Sequence, residues 1–156
     1  MRFKCPCCDK WHNEIPDVHC PMPDYAHDVP EADRKKRVFL TSDLCVVDKE
    51  HFFIRCLLLL PIKNYDESFG WGIWSSLSRQ NFQRYYENYD DDMSGWDPMF
   101  GYLSNQLSGY PDTHNLKLSV QLGSRGERPS VTLEPTDHPL AVAQREGISM
   151  EKCLSS

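Results

Sequence analysis

The segment LCVVDKEHFFIRCLLLL, residues 44–60, carries the clearest structural pattern in the chain. Two apolar runs flank the charged residues 48–50, and both runs are bounded in the way that strands of a sheet usually are. Strand-favouring residues such as Val, Ile and Phe are frequent in them. The segment therefore predicts a hairpin in which the strands Leu44–Val47 and His51–Leu60 are joined by a polar turn.

A third strand and a helix are predicted after this hairpin. Phe69–Leu77 alternates aromatic and small residues, and the glycines at 70 and 72 indicate a bulge or a close approach of another backbone. Ser78 has a side chain suited to capping a helix, and Arg79–Tyr89 carries aromatic residues at helical spacing. We expect those rings to contact the core.

The C-terminal half adds further short elements. Leu116–Leu122 alternates strictly and predicts a half-buried strand, with Ser130–Leu133 as its partner. Phe100–Leu107 suits either a strand or a short helix, whereas Pro139–Glu146 predicts a helix that Gly147 ends. The whole pattern predicts an α+β fold with an antiparallel sheet of about five or six strands and about two or three helices.

The chain divides by composition into two parts that we expect to form one compact unit. Residues 1–37 are rich in Cys, His and Pro and show no periodicity, which predicts irregular structure. Residues 38–156 carry the α+β pattern. The 156 residues are enough for one hydrophobic core.

Charge and composition limit the classes of partner. The net charge is −6, so the surface repels phosphate backbones and we expect neither nucleic-acid nor anionic-membrane binding. The basic run Arg34–Arg37 has no interleaved aromatic residues and is interpreted as a solvated face. No apolar run is long enough for a transmembrane helix, and the N-terminus lacks the apolar region of a signal peptide, so a cytoplasmic location is expected.

The seven cysteines are expected to be thiols or metal ligands in that reducing compartment. Cys5 and Cys8 have the two-residue gap of a zinc knuckle, and His12 is a candidate third ligand. The fourth ligand stays open among Cys20, His19 and Cys45. We expect a structural zinc, and the alternative is an unliganded, oxidation-prone terminus.

A second candidate site lies at Glu134, Asp137 and His138. A carboxylate beside a histidine suits acid–base or metal chemistry. The favoured interpretation is that Thr136 or Asp137 caps the helix that Pro139 begins, because a short side-chain oxygen can accept a bond from a free backbone amide.

Several strings in the chain, taken together, resemble the bacterial domain-of-unknown-function family DUF2199. The resemblance extends from Cys5 to about Cys153 and rests on strings in five regions: SDLCVV (42–47), FFIR (52–55), WGIW with SLS (71–74 and 76–78), GYPDT (109–113), and LEPTDHPLAV with QREGI (133–142 and 144–148). The last of these regions is the longest and most specific.

The resemblance also bears on the metal site. The family typically begins with Cys-x-x-Cys-Gly-x-x-His, and Cys5, Cys8 and His12 match those positions, although Asp9 replaces the glycine. A cysteine in the first string is a family feature, which makes Cys45 the implied fourth ligand. At residues 56–59 this chain runs CLLL, where the family usually has a Gly-Cys pair and then a glutamate.

The resemblance implies no reaction. The lack of a recognisable catalytic set, the many aromatic residues and the acidic surface favour a non-enzymatic binding or regulatory protein that has a protein partner, for example of the inhibitor or immunity type. The alternative is a metal- or acid–base-dependent enzyme that uses Glu134, Asp137 and His138.

Overall fold

A computed structural model describes residues 3–4, 11–12 and 18–154 of the chain. Ten strands and five short α-helices lie within these residues. The strands are β1 (Phe3–Lys4), β2 (Trp11–His12), β3 (Val18–His19), β4 (Val38–Leu40), β5 (Leu44–Val47), β6 (His51–Pro61), β7 (Ser68–Leu77), β8 (Met99–Tyr102), β9 (Lys117–Gln121) and β10 (Ser130–Leu133). The helices are α1 (Asp24–His27), α2 (Arg34–Arg37), α3 (Arg79–Glu87), α4 (Pro139–Glu146) and α5 (Met150–Leu154), and a 3₁₀ turn, Glu31–Asp33, precedes α2.

The hairpin predicted from residues 44–60 is confirmed. Strand β5 pairs antiparallel with the first half of β6, and Val47 lies opposite His51. Asp48 and Lys49 in the connecting turn both have positive φ, as in the tight turns that match strand twist. Strand β6 then pairs along its length with β7, so these two strands form the centre of the sheet.

The main sheet has eight strands and is mixed, so the prediction of a purely antiparallel sheet is wrong. Strand β3 pairs parallel with β7, and β10 pairs parallel with β6, where Ser130 lies opposite Leu57. The reason is that β5 covers β6 only from His51 to Ile54. The rest of that edge of β6 is occupied by β10, the returning strand of the antiparallel β9–β10 pair.

The sheet curls until its last strand returns to β7. The order runs β3-β7-β6-β10-β9-β8, and Ser75 of β7 forms a bridge with Leu103, which directly follows β8. The backbone N–H of Ser104 donates to the carbonyl of Trp74 at 2.9 Å. The curved sheet therefore encloses the larger hydrophobic cluster, to which helices α3 and α4 add buried side chains.

A smaller hydrophobic cluster covers the other face of the central strands. Trp74, Phe53 and Cys45 from the sheet pack there against Ala26 and Val29, which belong to α1 and the residues after it. Residues 18–37 are therefore joined to the sheet by β3 and by this packing. The segment predicted to be irregular contains short, regular elements in its described part.

Helix α3 begins at the residue that the sequence predicts. The Oγ atom of Ser78 accepts a bond from the backbone N–H of Asn81 at 3.1 Å, which confirms the predicted cap. The helix ends at Glu87, short of the predicted Tyr89, because the side chain of Asn88 donates to the carbonyl of Arg84. Phe82 and Tyr85 are buried in the core, as their spacing predicts, whereas Tyr86 and Tyr89, which were expected on the same face, are exposed.

None of the helices in the described part of the chain is long and apolar enough to cross a membrane.

Candidate functional site

A cavity of about 420 Å³ lies where α1, the start of β6, the end of β7 and the loop after β8 meet. We call it the acidic cavity. Its lining residues come from four separate segments of the chain: Asp24, Tyr25, Asp28, Glu50, His51, Phe52, Phe53, Ser76, Leu77, Ser104, His114 and Asn115.

One wall of the acidic cavity is formed by Asp24 and His114. The Nε2 atom of His114 lies 2.5 Å from Oδ2 of Asp24, and their side chains are 44% and 38% exposed. The same carboxylate accepts a bond from the backbone N–H of Gln106 at 2.7 Å and from Nδ2 of Asn105 at 3.3 Å. Three donors therefore hold this carboxylate in one orientation at the cavity wall.

The loop that carries His114 is held from inside by two buried polar residues. Thr113 donates through its hydroxyl to the carbonyl of Asn105 at 2.7 Å and accepts from the N–H of Leu107 at 3.0 Å. The Oδ1 atom of Asn105 accepts from the backbone N–H of Trp74 in β7 at 2.9 Å. The loop is thus bonded to itself and to the sheet, and His114 stands on a supported backbone.

The backbone beside His114 is turned sharply. Asn115 has a φ of 64°, a left-handed conformation that asparagine adopts more readily than most residues. The second ring nitrogen of His114, Nδ1, lies 3.7 Å from Oδ1 of the exposed Asp112. The imidazole therefore stands between two carboxylates.

His51, the second histidine that lines the cavity, is paired with Tyr25. The Nε2 atom of His51 and the hydroxyl of Tyr25 are 3.0 Å apart, and the two ring centroids are separated by 4.4 Å. Tyr25 also lies near Phe53, with 6.3 Å between ring centroids. An aromatic surface therefore faces the cavity next to the carboxylates of Asp28 and Glu50.

The charged residues that line the cavity are mostly acidic, and the guanidinium of Arg79 lies over the ring of the lining residue Phe52, 4.9 Å from its centroid. The lining contains three carboxylates and two imidazoles, and no lysine or arginine is among the described residues that form it. Clefts lined by charges of one sign focus the electrostatic field and raise the local concentration of counter-ions. The arrangement is suited to a positively charged group.

In the candidate segment Glu134–His138, the histidine has a role that differs from the predicted one. His138 itself is the N-cap of α4, so the prediction that Thr136 or Asp137 is the cap is wrong. Its Nδ1 accepts from the backbone N–H of Leu140 at 3.0 Å, and its Nε2 lies 2.8 Å from the carbonyl of Asp112. These contacts require the tautomer with the proton on Nε2, so both ring nitrogens are used in structural bonds.

The two carboxylates of this candidate segment do not share a cavity with His138. Glu134 and Asp137 are exposed. A small hollow of about 190 Å³ includes Glu134 and Thr136, and neither Asp137 nor His138 lines it. The segment instead joins the two family strings GYPDT and LEPTDHP through the bond from His138 to Asp112, which supports the loop that carries His114.

The candidate metal ligands are only partly covered by the structure. Cys5 and Cys8 lie outside the described residues, so their geometry stays a prediction. His12 lies on β2, whose backbone pairs with β1 so that Phe3 is opposite His12. The two cysteines therefore fall in the segment that connects two paired strands.

The three candidates for the fourth ligand differ in exposure. Cys45 is fully buried in the smaller hydrophobic cluster, and burial raises the pKa of its thiol to about 12. Burial, together with the nearby Asp24, raises the pKa of Cys20 to about 11, although its side chain is partly exposed. His19 is exposed and its ring lies against Gly72, which confirms the predicted close approach at that glycine.

No group of three or more potential metal ligands is found within the described part of the chain. Among the three candidates for the fourth ligand, Cys45 is the least favourable. Its thiol must lose a proton to bind a metal, and the buried thiolate would have no compensating charge nearby.

A second hollow, of about 530 Å³, surrounds Asp43 next to Tyr89 and Arg128. Asp43 accepts bonds from the hydroxyl of Tyr89 at 2.5 Å and from Nε of Arg128 at 3.2 Å. Burial alone would raise the pKa of Asp43, but these bonds outweigh it and hold the pKa below its ordinary value. The hydrogen bond to Asp43 raises the pKa of Tyr89 to about 12. The charge of Asp43 is thus paired with Arg128 and hydrogen-bonded by Tyr89 within the protein.

Sequence reasoning missed Asp24, His51 and His114 as site residues. They lie far apart in the sequence, and no local spacing relates them. The available signal was indirect: His114 directly follows the GYPDT string, and His51 stands at the polar start of a long strand.

Comparison with known proteins gives one match. The model of a family described as "Uncharacterized protein conserved in bacteria (DUF2199)" matches residues 4–148. No curated protein and no solved structure matches the chain. The match covers nearly the whole sequence, and the chain therefore belongs to the bacterial family DUF2199.

Proposed function

We propose that this protein is a non-enzymatic binding protein whose acidic cavity takes a cationic group from its partner. The observation that carries the proposal is the lining of that cavity, which brings Asp24, Asp28 and Glu50 together without a lysine or arginine. The exposed ring of Tyr25 beside them can stack against a guanidinium or ammonium group.

The expected strength of this recognition is modest. Asp24 is already bonded to His114, so Asp28 and Glu50 provide the charge that is available to a ligand. Both carboxylates are exposed, so each contributes at most about 0.5–1 kcal/mol to an ion pair, which corresponds to a change of about two- to fivefold in Kd. A cation–π contact with Tyr25 adds about 0.5–1 kcal/mol.

Isothermal titration calorimetry with arginine amide tests the proposal, with citrulline amide as the neutral ligand of similar shape. We expect binding of arginine amide that weakens as salt is added, and much weaker binding of citrulline amide. Glu50→Gln and Asp28→Asn should each weaken binding by about two- to fivefold. Asp97→Asn removes an exposed carboxylate that does not line the cavity, and it should leave the affinity unchanged. Equal affinity for both ligands, or an equal effect of all three substitutions, would contradict the proposal.

We propose further that the N-terminal segment holds a structural zinc ion through Cys5, Cys8 and His12. The pairing of β1 with β2 supports this, because it brings the two ends of the intervening segment together. Cys20 and His19 are more accessible candidates for the fourth ligand than Cys45, since both side chains reach the surface at least in part. The expected metal content is about one zinc per chain in the wild type and none in Cys8→Ser. Equal metal content in the two proteins would remove this site.

A second candidate function, an enzyme that uses His114 and Asp24 instead of Glu134, Asp137 and His138, has one specific observation in its favour, the short contact between His114 and Asp24. A histidine oriented by a carboxylate is the usual arrangement of a general base. Its second nitrogen lies 3.7 Å from the exposed carboxylate of Asp112. Turnover of an amine- or guanidine-containing substrate that is abolished in both His114→Gln and Asp24→Asn would establish this alternative over simple binding.

The cytoplasm remains the proposed location, and nucleic acid is not proposed as a partner. Cys20, Cys45 and Cys56 are free thiols, which suits a reducing compartment. The basic run 34–37 is partly used within the protein: Arg34 bonds the carbonyls of Val29 and His27, and Arg37 forms two bonds with Asp48. Recovery of the protein in a periplasmic fraction, or salt-dependent binding to DNA, would contradict these two points.

A further inference from the structure

The acidic cavity has as its neighbour another hollow, of about 440 Å³. Ser76 and Leu77 line both. The second hollow also includes Asn81 at the start of α3 and the two aromatic side chains of β8, Phe100 and Tyr102. We call it the aromatic hollow.

The aromatic hollow exists because β7 and β8 meet at one point and then separate. Ser75 bridges Leu103, and the next contact is made by a side chain, with the N–H of Tyr102 donating to Oγ of Ser76 at 3.1 Å. A Cβ atom at position 101 would clash with Ser75 and Ser76, so only glycine permits this crossing. Past the crossing, the ladder between the two strands is not continued.

The two aromatic rings in this hollow are exposed. Phe100 is 53% and Tyr102 is 39% exposed, and the two rings contact each other edge to face at a centroid distance of 5.0 Å. Adjacent, exposed aromatic side chains on a rigid strand mark the places where partner proteins bind most strongly. The hollow that they line shares Ser76 and Leu77 with the acidic cavity.

We infer that the two hollows form one groove for a polypeptide segment of a partner protein, in which a basic side chain enters the acidic cavity and an apolar side chain packs on Phe100 and Tyr102. This inference rests on the proposed function and adds the class of partner. Charge complementarity supports it, because the acidic end of the groove contains Asp24, Asp28 and Glu50 and the chain as a whole carries a net charge of −6. An acidic partner such as DNA or an anionic lipid surface would be repelled from the same groove.

The basic and apolar anchors should be close together in the sequence of the partner, because the two hollows adjoin. Side chains on one face of an extended strand recur about every 6–7 Å. One to a few residues of extended chain therefore separate the two anchors.

A set of capped peptides tests the inference, each with one arginine and one leucine separated by none to three glycines. Capped arginine without leucine is the reference ligand. We expect one spacing to bind at least about tenfold more tightly than capped arginine, as the burial of one leucine side chain allows. Phe100→Ala and Tyr102→Ala should each remove most of this gain and leave the affinity for capped arginine unchanged.

Phe39→Ala is the matched control, because Phe39 has the same exposed fraction, 53%, and lies outside both hollows. It should have no effect on either ligand. In the wild-type protein, NMR amide shifts at Gly101 and Tyr102 should follow the peptide and should not follow capped arginine, which gives a readout that needs no substitution.

The possible results separate the two claims. If capped arginine binds and no peptide binds more tightly, the groove is refuted and the acidic cavity stands. If capped arginine does not bind, both the proposed function and the groove are refuted. A gain in peptide affinity that survives both aromatic substitutions also refutes the groove.

Discussion

Replacing His138 with alanine should lower the free energy of unfolding by about 2 kcal/mol. The ring makes two structural bonds: Nδ1 accepts from the N–H of Leu140, and Nε2 donates to the carbonyl of Asp112. Loss of an N-cap costs about 1 kcal/mol, and loss of a neutral hydrogen bond costs about 0.5–1.5 kcal/mol. For a chain of 156 residues the sum corresponds to a fall in Tm of about 4–8 °C.

Two further substitutions divide this effect into its parts. His138→Asn retains a side chain that can cap α4 but loses the contact with Asp112, so it should cost about half as much. Asp137→Ala removes an exposed carboxylate next to the cap and should change stability by less than about 0.5 kcal/mol.

Urea unfolding followed by circular dichroism measures all three variants on one scale. NMR of the His114 ring adds a local readout, because the bond from His138 supports the loop that carries His114. If His138→Ala is as stable as the wild type, or if Asp137→Ala is the more damaging change, the assignment of His138 as a cap and loop support is wrong.

Three other perturbations follow from the same contacts. Asn105→Ala should cost about 1–3 kcal/mol in urea unfolding, because it leaves the buried N–H of Trp74 without its acceptor; a cost below about 1 kcal/mol would show that this residue does not organise the loop. The depressed pKa of Asp43 contributes stability above the pKa of the unfolded chain, about 4, and that stability is lost as the pH falls through the folded pKa. Asp43→Asn should therefore be less stable than the wild type at pH 7 and nearly equal to it near pH 2, and a pH-independent difference would exclude this linkage. Because burial raises the pKa of Cys45 to about 12, peptide mass spectrometry should find it unmodified by a thiol reagent at pH 8 until the protein is unfolded; rapid labelling of the folded protein would contradict its burial.

The elements that were predictable from sequence are those with local signals. The hairpin at residues 44–60 has a polar turn between two apolar runs, and α3 and α4 have a cap or a helix-starting proline at one end. Each signal depends on residues within a few positions of one another, so it can be recognised without knowledge of the tertiary contacts.

The sheet topology was not predictable in the same way. The parallel pairing of β10 with β6 depends on how much of the edge of β6 is left uncovered by β5. The two-residue strand β3 pairs with β7 at Gly72, where the ring of His19 occupies the space that a Cβ atom would take. Both are consequences of tertiary contacts between distant parts of the chain, on which periodicity gives no information.

The residues of the candidate site could not be predicted from the sequence for the same reason. Its histidines and carboxylates come from α1, the start of β6 and the loop after β8, and no pair of these segments has a recognisable spacing. The segment around His138 was a candidate site in the sequence. The preference of helix N-caps for short side-chain oxygens, however, predicted Thr136 or Asp137 as the cap. A histidine with its proton on Nε2 can also accept at Nδ1, and the carbonyl of Asp112, which is distant in sequence, selects that tautomer.

NMR shift mapping with arginine amide on isotope-labelled protein tests the central claim most directly. We expect saturable amide shifts that are concentrated at Asp28, Glu50, His51 and His114. Citrulline amide should not reproduce them. Shifts that are absent, that citrulline amide reproduces equally, or that centre on Tyr89 and Arg128 would contradict the assignment of the acidic cavity as a cation-binding site.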